Sequence, residues 1–353
     1  MAYSIQIRPS GHRFTVEEGE SILDGALRQG YRFPYGCRSG NCGACKSRLI
    51  SGQIDYRGAA ISGLGEHQAA EGFALLCQAR PRSDLIIEVQ EIGSMGQIPI
   101  RTLPCRVAKR QQLSHDVMGL WLKLPRTERL QFLAGQYVDI LHKDGSRRSF
   151  SLANSPYDDE FLELHIRYYP GGKFAHYVFT ELQPNELLRI RGPLGNFVLN
   201  QASQAPMILV AGGTGFAPIK GIVQHTLIER LTRPIHLYWG VRARRDLYMD
   251  ELARTWAETY SHIRYTPVFS EPLAEDSREV RRDFVHQAVL EDFADLSGYE
   301  VYASGPPVMV EAVRTHLLAR GLAADKLYSD AFEFAALPNY TSFSHGTGGN
   351  GIP

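Results

Sequence analysis

The sequence predicts a multidomain protein that combines an α+β part with an α/β part. Its 353 residues exceed the usual size of one domain. Short strand patterns with regular turn signals between residues 105 and 200 predict an antiparallel β-barrel. From residue 206 onward, apolar strands alternate with helical patterns, which is typical of a parallel sheet. We expect the following boundaries: an N-terminal unit 1–92, a linker 93–100, a barrel 101–201, an α/β unit 202–336 and a C-terminal tail 337–353.

Composition excludes several classes of function. Lys plus Arg equals Asp plus Glu, 38 against 38, so no global field would attract nucleic acid or an acidic membrane surface. No apolar run approaches the about twenty residues that span a bilayer. The N-terminus lacks the apolar stretch of a signal peptide. We therefore expect a cytoplasmic protein that binds neither nucleic acid nor membrane.

Four cysteines in the N-terminal unit carry the strongest motif of the chain. Cys37, Cys42 and Cys45 have C-x4-C-x2-C spacing, and Cys77 follows in Leu-Leu-Cys-Gln-Ala. This is the ligand spacing of a plant-type [2Fe–2S] cluster, which needs thiolate ligands on a tight loop. Glycines between the ligands permit the positive φ angles that such a loop requires. The motif therefore predicts a [2Fe–2S] site.

Zinc binding and disulfide formation are the alternatives for these cysteines. Structural zinc usually takes paired C-x2-C hooks, and only Cys42 and Cys45 have that spacing. Disulfides are rare in the reducing compartment that we expect. Cys105 lies outside the pattern, and we predict that it is a small buried hydrophobe.

The pattern around the cysteine loop indicates a small α+β unit. Alternating apolar residues at 3–8 and 12–16 predict a hairpin, and residues 21–29 have one apolar face of a short helix. Residues 46–50 and 85–89 read as returning strands. This order resembles the β-grasp ferredoxin over residues 1 to 92.

Two stretches of the predicted barrel carry groups that suit a flavin nucleotide. Arg148 and Phe150 alternate with serines in Arg-Ser-Phe-Ser, so a guanidinium that matches a pyrophosphate lies beside an aromatic ring that can pack on a flavin. The second stretch is a strand that runs into Gly171-Gly172 and a helix starting near Lys173, whose free amides can bind phosphate. The alternatives are an ordinary strand with an exposed arginine and a plain glycine turn.

Two glycine loops of the α/β unit suit a second nucleotide. The buried strand 207–210 leads into Ala-Gly-Gly-Thr-Gly-Phe-Ala-Pro and then a helix, and the strand 301–304 ends in Ser-Gly-Pro-Pro. Both loops should lie at the carboxyl ends of parallel strands, where such sheets bind ligands. The first loop is not G-x-G-x-x-G, so the usual dinucleotide fingerprint is absent. Other predicted strands are 235–240 and 265–269, and predicted helices are 247–259, 284–290 and 307–320.

The whole chain resembles the ferredoxin–NADP reductase-like electron-transfer proteins, in particular the reductases with an N-terminal [2Fe–2S] domain that serve multicomponent oxygenases. Within that family it is similar to the group named CDP-6-deoxy-Δ3,4-glucoseen reductases. The resemblance covers residues 1 to 336 and is carried by the segments 103–107, 130–137, 211–220, 284–293 and 328–332.

The resemblance implies cofactor-binding roles for residues of both nucleotide sites. For FAD these are Arg148, Phe150, Ser151, Ile166, Gly172, Lys173, Phe174 and Ala175. Phe150 stands where the family usually has Tyr, and Ala175 where it usually has Ser or Thr. For the nicotinamide nucleotide they are Gly213, Thr214, Gly215, Pro218, Arg242, Gly305 and Pro306.

The resemblance also implies catalytic contacts for Ser151, Ser304 and Phe332. Ser304 stands where the family often has Cys beside the nicotinamide, so we expect slower hydride transfer. Phe332 would shield the flavin, with Phe334 as the rival candidate and a core Phe as the alternative.

These parts predict an enzyme that passes electrons from NAD(P)H through FAD and a [2Fe–2S] cluster to a separate acceptor protein. We expect a monomer whose acceptor is an oxygenase, either aromatic-ring or diiron, and a sugar dehydrase is the alternative acceptor. An iron–sulfur redox sensor and a non-catalytic scaffold are the remaining alternatives. The resemblance favours NADH, although arginines at 242, 244 and 245 would allow NADPH if they met its 2′-phosphate.

Overall fold

The structure is a computed structural model. It describes residues 2–31, 33–36, 38–41, 43–59, 61–89, 98–142, 145–158, 160–274, 276 and 281–332. Two predicted cluster ligands, Cys37 and Cys42, lie outside these residues, as do Phe334, positions 93–97 of the predicted linker and the predicted tail.

The first unit is a five-stranded mixed sheet with a helix packed on it. Helix α1 (Ile22–Arg28) begins at Ser21, whose side chain accepts a hydrogen bond from Asp24 N at 3.1 Å. Its apolar face covers the buried side chains of the hairpin. The spatial order of the sheet is β2-β1-β7-β3-β5. Its elements are β1 (Ala2–Arg8), β2 (Arg13–Glu17), β3 (Lys46–Ser51), β5 (Phe73–Leu75) and β7 (Leu85–Glu88), with the small pair β4 (Ile54–Asp55) and β6 (Arg80–Pro81) and helix α2 (Glu66–Ala70).

The second unit is a six-stranded antiparallel barrel. Its order is β11-β10-β13-β8-β9-β12, and a bridge between Leu152 and Leu164 joins the two terminal strands. Helix α3 (Lys173–Thr180) covers one end with Phe174 and Val178. The strands are β8 (Arg101–Gln112), β9 (Val117–Lys123), β10 (Tyr137–Leu141), β11 (Arg147–Ser151), β12 (Leu162–Arg167) and β13 (Leu187–Leu194).

The third unit is a six-stranded parallel sheet with helices on both faces. Its order is β17-β16-β15-β14-β18-β19. Strands β15 to β17 are added on one side of β14, and β18 and β19 on the other side, so the strand order reverses at β14. All six residues of β14 are buried, which explains its continuous apolar run. The strands are β14 (Met207–Gly212), β15 (Ile235–Val241), β16 (Ile263–Phe269), β17 (Arg281–Arg282), β18 (Glu300–Gly305) and β19 (Leu327–Ala331). The helices are α4 (Phe216–Ile228), α5 (Asp250–Thr259), α6 (Val285–Asp292) and α7 (Pro307–Ala319).

Two seams join the three units through shared apolar cores. At the first seam, Tyr137 and Leu194 of the barrel pack into the core of the first unit. At the second seam, Ala134, Phe197 and Leu199 pack into a core of the third unit. The three-unit fold confirms the predicted fold class. Among the described residues, no helix combines the length and apolar character that a bilayer crossing needs.

Candidate functional site

A cleft of about 1450 Å³ runs along both seams and is lined by all three units. The first unit contributes Gly36, Arg38, Ser39 and Gln78. The barrel contributes strands β11 and β12, and the third unit contributes the loops that follow β14, β15 and β18. Any molecule that fills the cleft therefore contacts the cysteine loop at one end and the parallel sheet at the other.

Strand β11 forms the barrel wall of the cleft. All of its residues line the cleft, including Arg148, Phe150 and Ser151. The Phe150 ring lies 5.4 Å from the Phe174 ring of α3, measured between centroids. The wall thus offers two guanidinium groups, two aromatic rings and a buried hydroxyl, which is the mixture that a flavin nucleotide requires.

Three helix N-termini open into the same cleft. They belong to α3, α4 and α7. The caps Gly172 of α3 and Pro306 of α7 line the cleft, as do Gly213 and Thr214 of the 3₁₀ turn that leads into α4. Gly213 has a positive φ of 52°, which brings bare amides towards the cleft. Because free N–H groups and the helix dipole favour anions, these termini suit the phosphates of two nucleotides.

The two glycine loops of the third unit are in direct backbone contact. A Cβ added to Gly215 would lie 1.9 Å from the Ser304 carbonyl oxygen, and one added to Gly305 would lie 2.8 Å from the Gly212 carbonyl oxygen. Only glycine fits at these points, so Gly215 and Gly305 shape the loops. Ser304 is fully buried, and its Oγ has no hydrogen-bond partner within the described part of the chain.

The structure brings most of the predicted site residues into one place. Those that line the cleft are Arg148, Phe150, Ser151, Ile166, Gly172, Phe174, Ala175, Gly213, Thr214, Arg242, Pro306 and Phe332. Those that do not line it are Lys173, Gly215, Pro218, Ser304 and Gly305, which stand beside residues that do.

Sequence reasoning missed an acid at the centre of the second seam. Asp330, in β19, lines the cleft and accepts a hydrogen bond from Ser151 Oγ at 3.2 Å. Both side chains are buried. Phe332 follows Asp330 closely, and its amide donates to Gly305 O at 2.9 Å. A charged residue near the end of an apolar strand is the signal that could have identified it.

A charged cluster links the barrel to the loop after β15. Arg167 NH2 lies 2.7 Å from Asp116 Oδ2, and Arg242 NH2 lies 3.3 Å from the same oxygen. Arg242 Nε also lies 3.0 Å from Asp246 Oδ2. The hydrogen bond to Asp246 outweighs partial burial and raises the pKa of Arg242. Both carboxylates therefore already neutralise the Arg242 guanidinium.

A buried polar network lies deeper in the second seam. Lys220 Nζ of α4 donates to Glu163 Oε2 at 2.8 Å and to Ala153 O at 3.0 Å. The His165 ring contacts Glu163 at 2.9 Å and the Tyr248 hydroxyl at 3.0 Å. Burial would raise the pKa of Glu163, but its bonds and charges with His165 and Lys220 hold the pKa below the usual value. Burial lowers the pKa of His165.

The described part of the cysteine loop fits a thiolate-ligated cluster. Cys45 and Cys77 are buried and are not in disulfides. Burial raises the pKa of Tyr56, whose ring packs against the same apolar core that contains Cys45 and Cys77. Gly40 and Gly43 have positive φ angles of 88° and 70°. The loop thus turns as a cluster-binding loop must.

A second loop packs tightly against the cysteine loop. Gly63 N donates to Gly40 O at 2.8 Å, and a Cβ on Gly63 would lie 2.6 Å from Gly43 N.

Cys105 lies elsewhere, in the barrel core, where burial raises its pKa to about 12. Its prediction as a buried hydrophobe is confirmed.

Comparisons with known proteins agree with this geometry. Residues 5–82 match the 2Fe-2S iron-sulfur cluster binding domain, residues 104–199 the oxidoreductase FAD-binding domain, and residues 209–315 the oxidoreductase NAD-binding domain.

Relatives of known name cover nearly the whole chain. CDP-6-deoxy-L-threo-D-glycero-4-hexulose-3-dehydrase reductase of Yersinia pestis is 39% identical over 94% of this chain and 99% of its own. The xylene/toluene monooxygenase electron transfer component of Pseudomonas putida is 34% identical over 93% of each chain.

Solved structures show the same architecture. The crystal structure of a cytochrome P450 reductase from Amycolatopsis has a TM-score of 0.78 and 34% identity, with 94% of this chain and 98% of that chain covered. These matches confirm the resemblance inferred from the sequence. The chain therefore belongs to the family of ferredoxin reductase-like iron–sulfur flavoproteins, and it is an NAD(P)H-dependent oxidoreductase that passes electrons through FAD and a [2Fe–2S] cluster.

Proposed function

We propose that this chain is the NADH-dependent reductase component of an oxygenase system that acts on aromatic rings or through a diiron centre. The observation that carries the proposal is the cleft that joins β11, the glycine loops and the cysteine loop. Relatives named as reductase or electron-transfer components of oxygenases support it. The domain boundaries 1–92, 101–201 and 202–336 are part of the same proposal, since the three sheets end at Glu88, Leu194 and Ala331.

A sugar dehydrase is the second candidate acceptor. The relative from Yersinia pestis, named as a dehydrase reductase, is 39% identical to this chain, against 34% for the electron-transfer component from Pseudomonas putida. That difference favours the dehydrase, whereas several oxygenase reductases span the chain to a similar extent. Acceptor choice therefore needs a direct assay with purified partners.

When bound, FAD accepts a hydride from the nicotinamide and gives up its electrons singly to the [2Fe–2S] cluster. The residues of the chain bind and orient these groups. We assign the FAD pyrophosphate to Arg148 and to the α3 N-terminus at Gly172 and Lys173, where Ala175 offers only its backbone. The rings of Phe150 and Phe332 would pack on the flavin, with Ile166 and Phe174 as apolar contacts.

The nicotinamide nucleotide is assigned to the glycine loops of the third unit. Gly213, Thr214 and Gly215 present amides at the start of α4, where Pro218 suits the first turn. Gly305 and Pro306 form the facing wall. Ser304 was predicted to contact the nicotinamide, but it is fully buried and does not line the cleft, so we assign it to the support of these loops.

Ser151 is placed to move a proton at the second seam. Its Oγ donates to Asp330, so a proton can pass between the cleft and that carboxylate without bulk water. At the other end of the cleft, Cys45 and Cys77 would ligate the cluster together with Cys37 and Cys42.

The preference for NADH follows from the charges around Arg242. A 2′-phosphate needs an unpaired cation, but this guanidinium already contacts Asp116 and Asp246. Arg167 and Arg242 together balance the carboxylates of Asp116 and Asp246, so Arg242 is not a free cation. This supports NADH in the proposal.

The test combines cofactor analysis with rapid kinetics. Purified protein should contain two irons, two sulfides and one FAD per chain, as four thiolate ligands and one flavin site require. NADH should bleach the flavin and then reduce the cluster, with kcat/KM above that for NADPH. Absence of iron, or no bleaching with NADH, would disprove the proposal. Absence of FAD would instead support the non-catalytic scaffold.

Multiple turnover with an artificial acceptor distinguishes an enzyme from a redox sensor. A sensor needs one reduction per signal, so sustained turnover excludes it. Reconstitution with a purified oxygenase and, separately, with a purified sugar dehydrase then identifies the acceptor, because only the correct partner yields coupled product.

A further inference from the structure

The side chain of Arg38 joins the cysteine loop to the barrel. Its NH2 lies 2.6 Å from Asp24 Oδ1 of the first unit, and its NH1 lies 3.4 Å from Asp139 Oδ2 of β10. The Arg38 side chain is 5% exposed and that of Asp139 is fully buried. A buried ion pair thus crosses the first seam.

Asp139 carries this link to the wall of the flavin site. Its other oxygen, Oδ1, accepts a hydrogen bond from Ser149 Oγ at 2.6 Å. Ser149 lies between Arg148 and Phe150 on β11, and all three line the cleft. The position of Arg38 is therefore tied to the strand that we assign to FAD.

The main chain of Arg38 is tied to the other side of the cysteine loop. Its φ of 60° is in the left-handed region, which non-glycine residues adopt at a cost. Its carbonyl accepts a hydrogen bond from Gln78 Nε2 at 2.7 Å. Arg38 follows Cys37 and Gln78 follows Cys77, so both partners adjoin predicted cluster ligands.

The first seam is already closed without this ion pair. Gly195 N donates to the Tyr35 hydroxyl at 2.8 Å, and Asn196 Nδ2 donates to Phe33 O at 2.5 Å. Tyr137 adds apolar packing. Buried ion pairs contribute little net stability but define geometry, because an unmatched charge cannot be left in the interior. The pair is thus better suited to fixing position than to supplying affinity.

We propose that Arg38 and Asp139 are positioning residues that hold the cysteine loop at a fixed distance from the flavin site for electron transfer. The inference rests on the proposed function and extends it. Electron transfer slows as the distance between donor and acceptor grows, so a displaced cysteine loop would receive electrons more slowly. Hydride transfer at the opposite end of the cleft does not involve this pair.

The test compares two carboxylates that meet the same guanidinium. In the holoenzyme mixed with NADH, Asp139→Asn should slow cluster reduction, followed by freeze-quench EPR, by more than the about 2-fold allowed for the control, and leave flavin bleaching unchanged. Asp24→Asn is the matched control, because Asp24 does not belong to the barrel. It should leave cluster reduction within about 2-fold of the parent rate, as the barrel contact remains.

Two further measurements separate positioning from other roles. Hydrogen exchange at the Gly195 amide should stay at the parent rate in both variants, because other contacts keep the seam closed, so slower cluster reduction in Asp139→Asn alone would report a local shift of the cysteine loop. Equal slowing in both variants, with equal shifts in cluster potential, would show electrostatic tuning and overturn the proposal. Unchanged cluster reduction in Asp139→Asn would also overturn it.

A second variant tests the proposal if Asp139→Asn does not fold. Ser149→Ala removes the hydrogen bond to Asp139 without changing a buried charge, and it should slow cluster reduction in the same direction. An unchanged rate in that variant contradicts the proposal. If the parent protein itself shows no cluster reduction, the proposed function fails, and that result is distinct from a failure of positioning.

Discussion

The two seams of the molecule are built from different interactions. At the first seam, neutral hydrogen bonds from Gly195 and Asn196 surround one buried ion pair. The second seam holds the Glu163–Lys220 pair and the charged cluster at Asp116. Electrons alone must cross the first seam, so it can be closed and rigid. A dinucleotide must enter and leave beside the second seam, which explains its greater share of polar groups.

The largest predicted effect is a loss of stability when the most buried cation of the second seam, Lys220, is replaced. Lys220→Met would leave the Glu163 carboxylate without its amine partner, so we expect a loss of about 3–5 kcal/mol in the free energy of unfolding. Urea unfolding measures it. Lys123→Met removes the exposed pair with Glu160 and should change stability by at most about 1 kcal/mol. Equal losses in both variants would show that burial is not decisive.

The next effect concerns chemistry at the same seam. Asp330→Asn keeps a hydrogen-bond acceptor for Ser151 but removes the proton acceptor. Hydride transfer to a flavin releases no proton, whereas loss of its two electrons does, so oxidation of the reduced flavin by an artificial acceptor should slow by about 100-fold, or about 2.7 kcal/mol, and reduction by NADH should not slow. Stopped-flow absorbance measures the rate. Asp325→Asn, on an exposed turn, is the matched control and should match the parent. An unchanged rate of flavin oxidation in Asp330→Asn would exclude proton transfer through this pair.

The smallest effect is an acid sensitivity to which the second seam contributes. Burial lowers the folded-state pKa of His165 below its ordinary 6.5. The neutral imidazole therefore stabilises the fold above pH 6.5, and this stabilisation is lost as the pH falls towards the folded-state pKa. The lowered pKa of Glu163 acts in the same direction below pH 4.5. As the pH is lowered from 6.5, the melting temperature of the parent protein should therefore decrease. The decrease should be smaller in His165→Gln. A parallel decline in both proteins would place the sensitivity elsewhere.

The contrast between the seams also shows which parts of the site sequence reasoning can reach. The cysteine loop is a short segment whose residues alone indicate the chemistry. Arg148 and Gly213 gained their predicted roles only from the resemblance of the whole chain to the reductase family, because their local patterns also fit an ordinary strand and a plain glycine turn.

Residues that act by pairing across the seams were not accessible. Arg38 and Asp139 are 101 positions apart, and Lys220 and Glu163 are 57 apart. Nothing in the local pattern around any of them specifies the partner, since each pairing depends on how the units dock. Sequence reasoning did not identify Asp330 for the same reason, because its partner Ser151 lies on another unit.

The contact between Gly215 and the Ser304 carbonyl sets a limit for coenzyme engineering. The two loops are in direct backbone contact, so a side chain introduced at either glycine would push β14 and β18 apart. Such a substitution would disrupt the sheet before it changed how the loops bind a coenzyme. Diversity is better introduced at the rim, where Phe284 and Val308 are 64% and 79% exposed and still line the cleft. A mutant library restricted to that rim would alter coenzyme choice while leaving the scaffold of the sheet untouched.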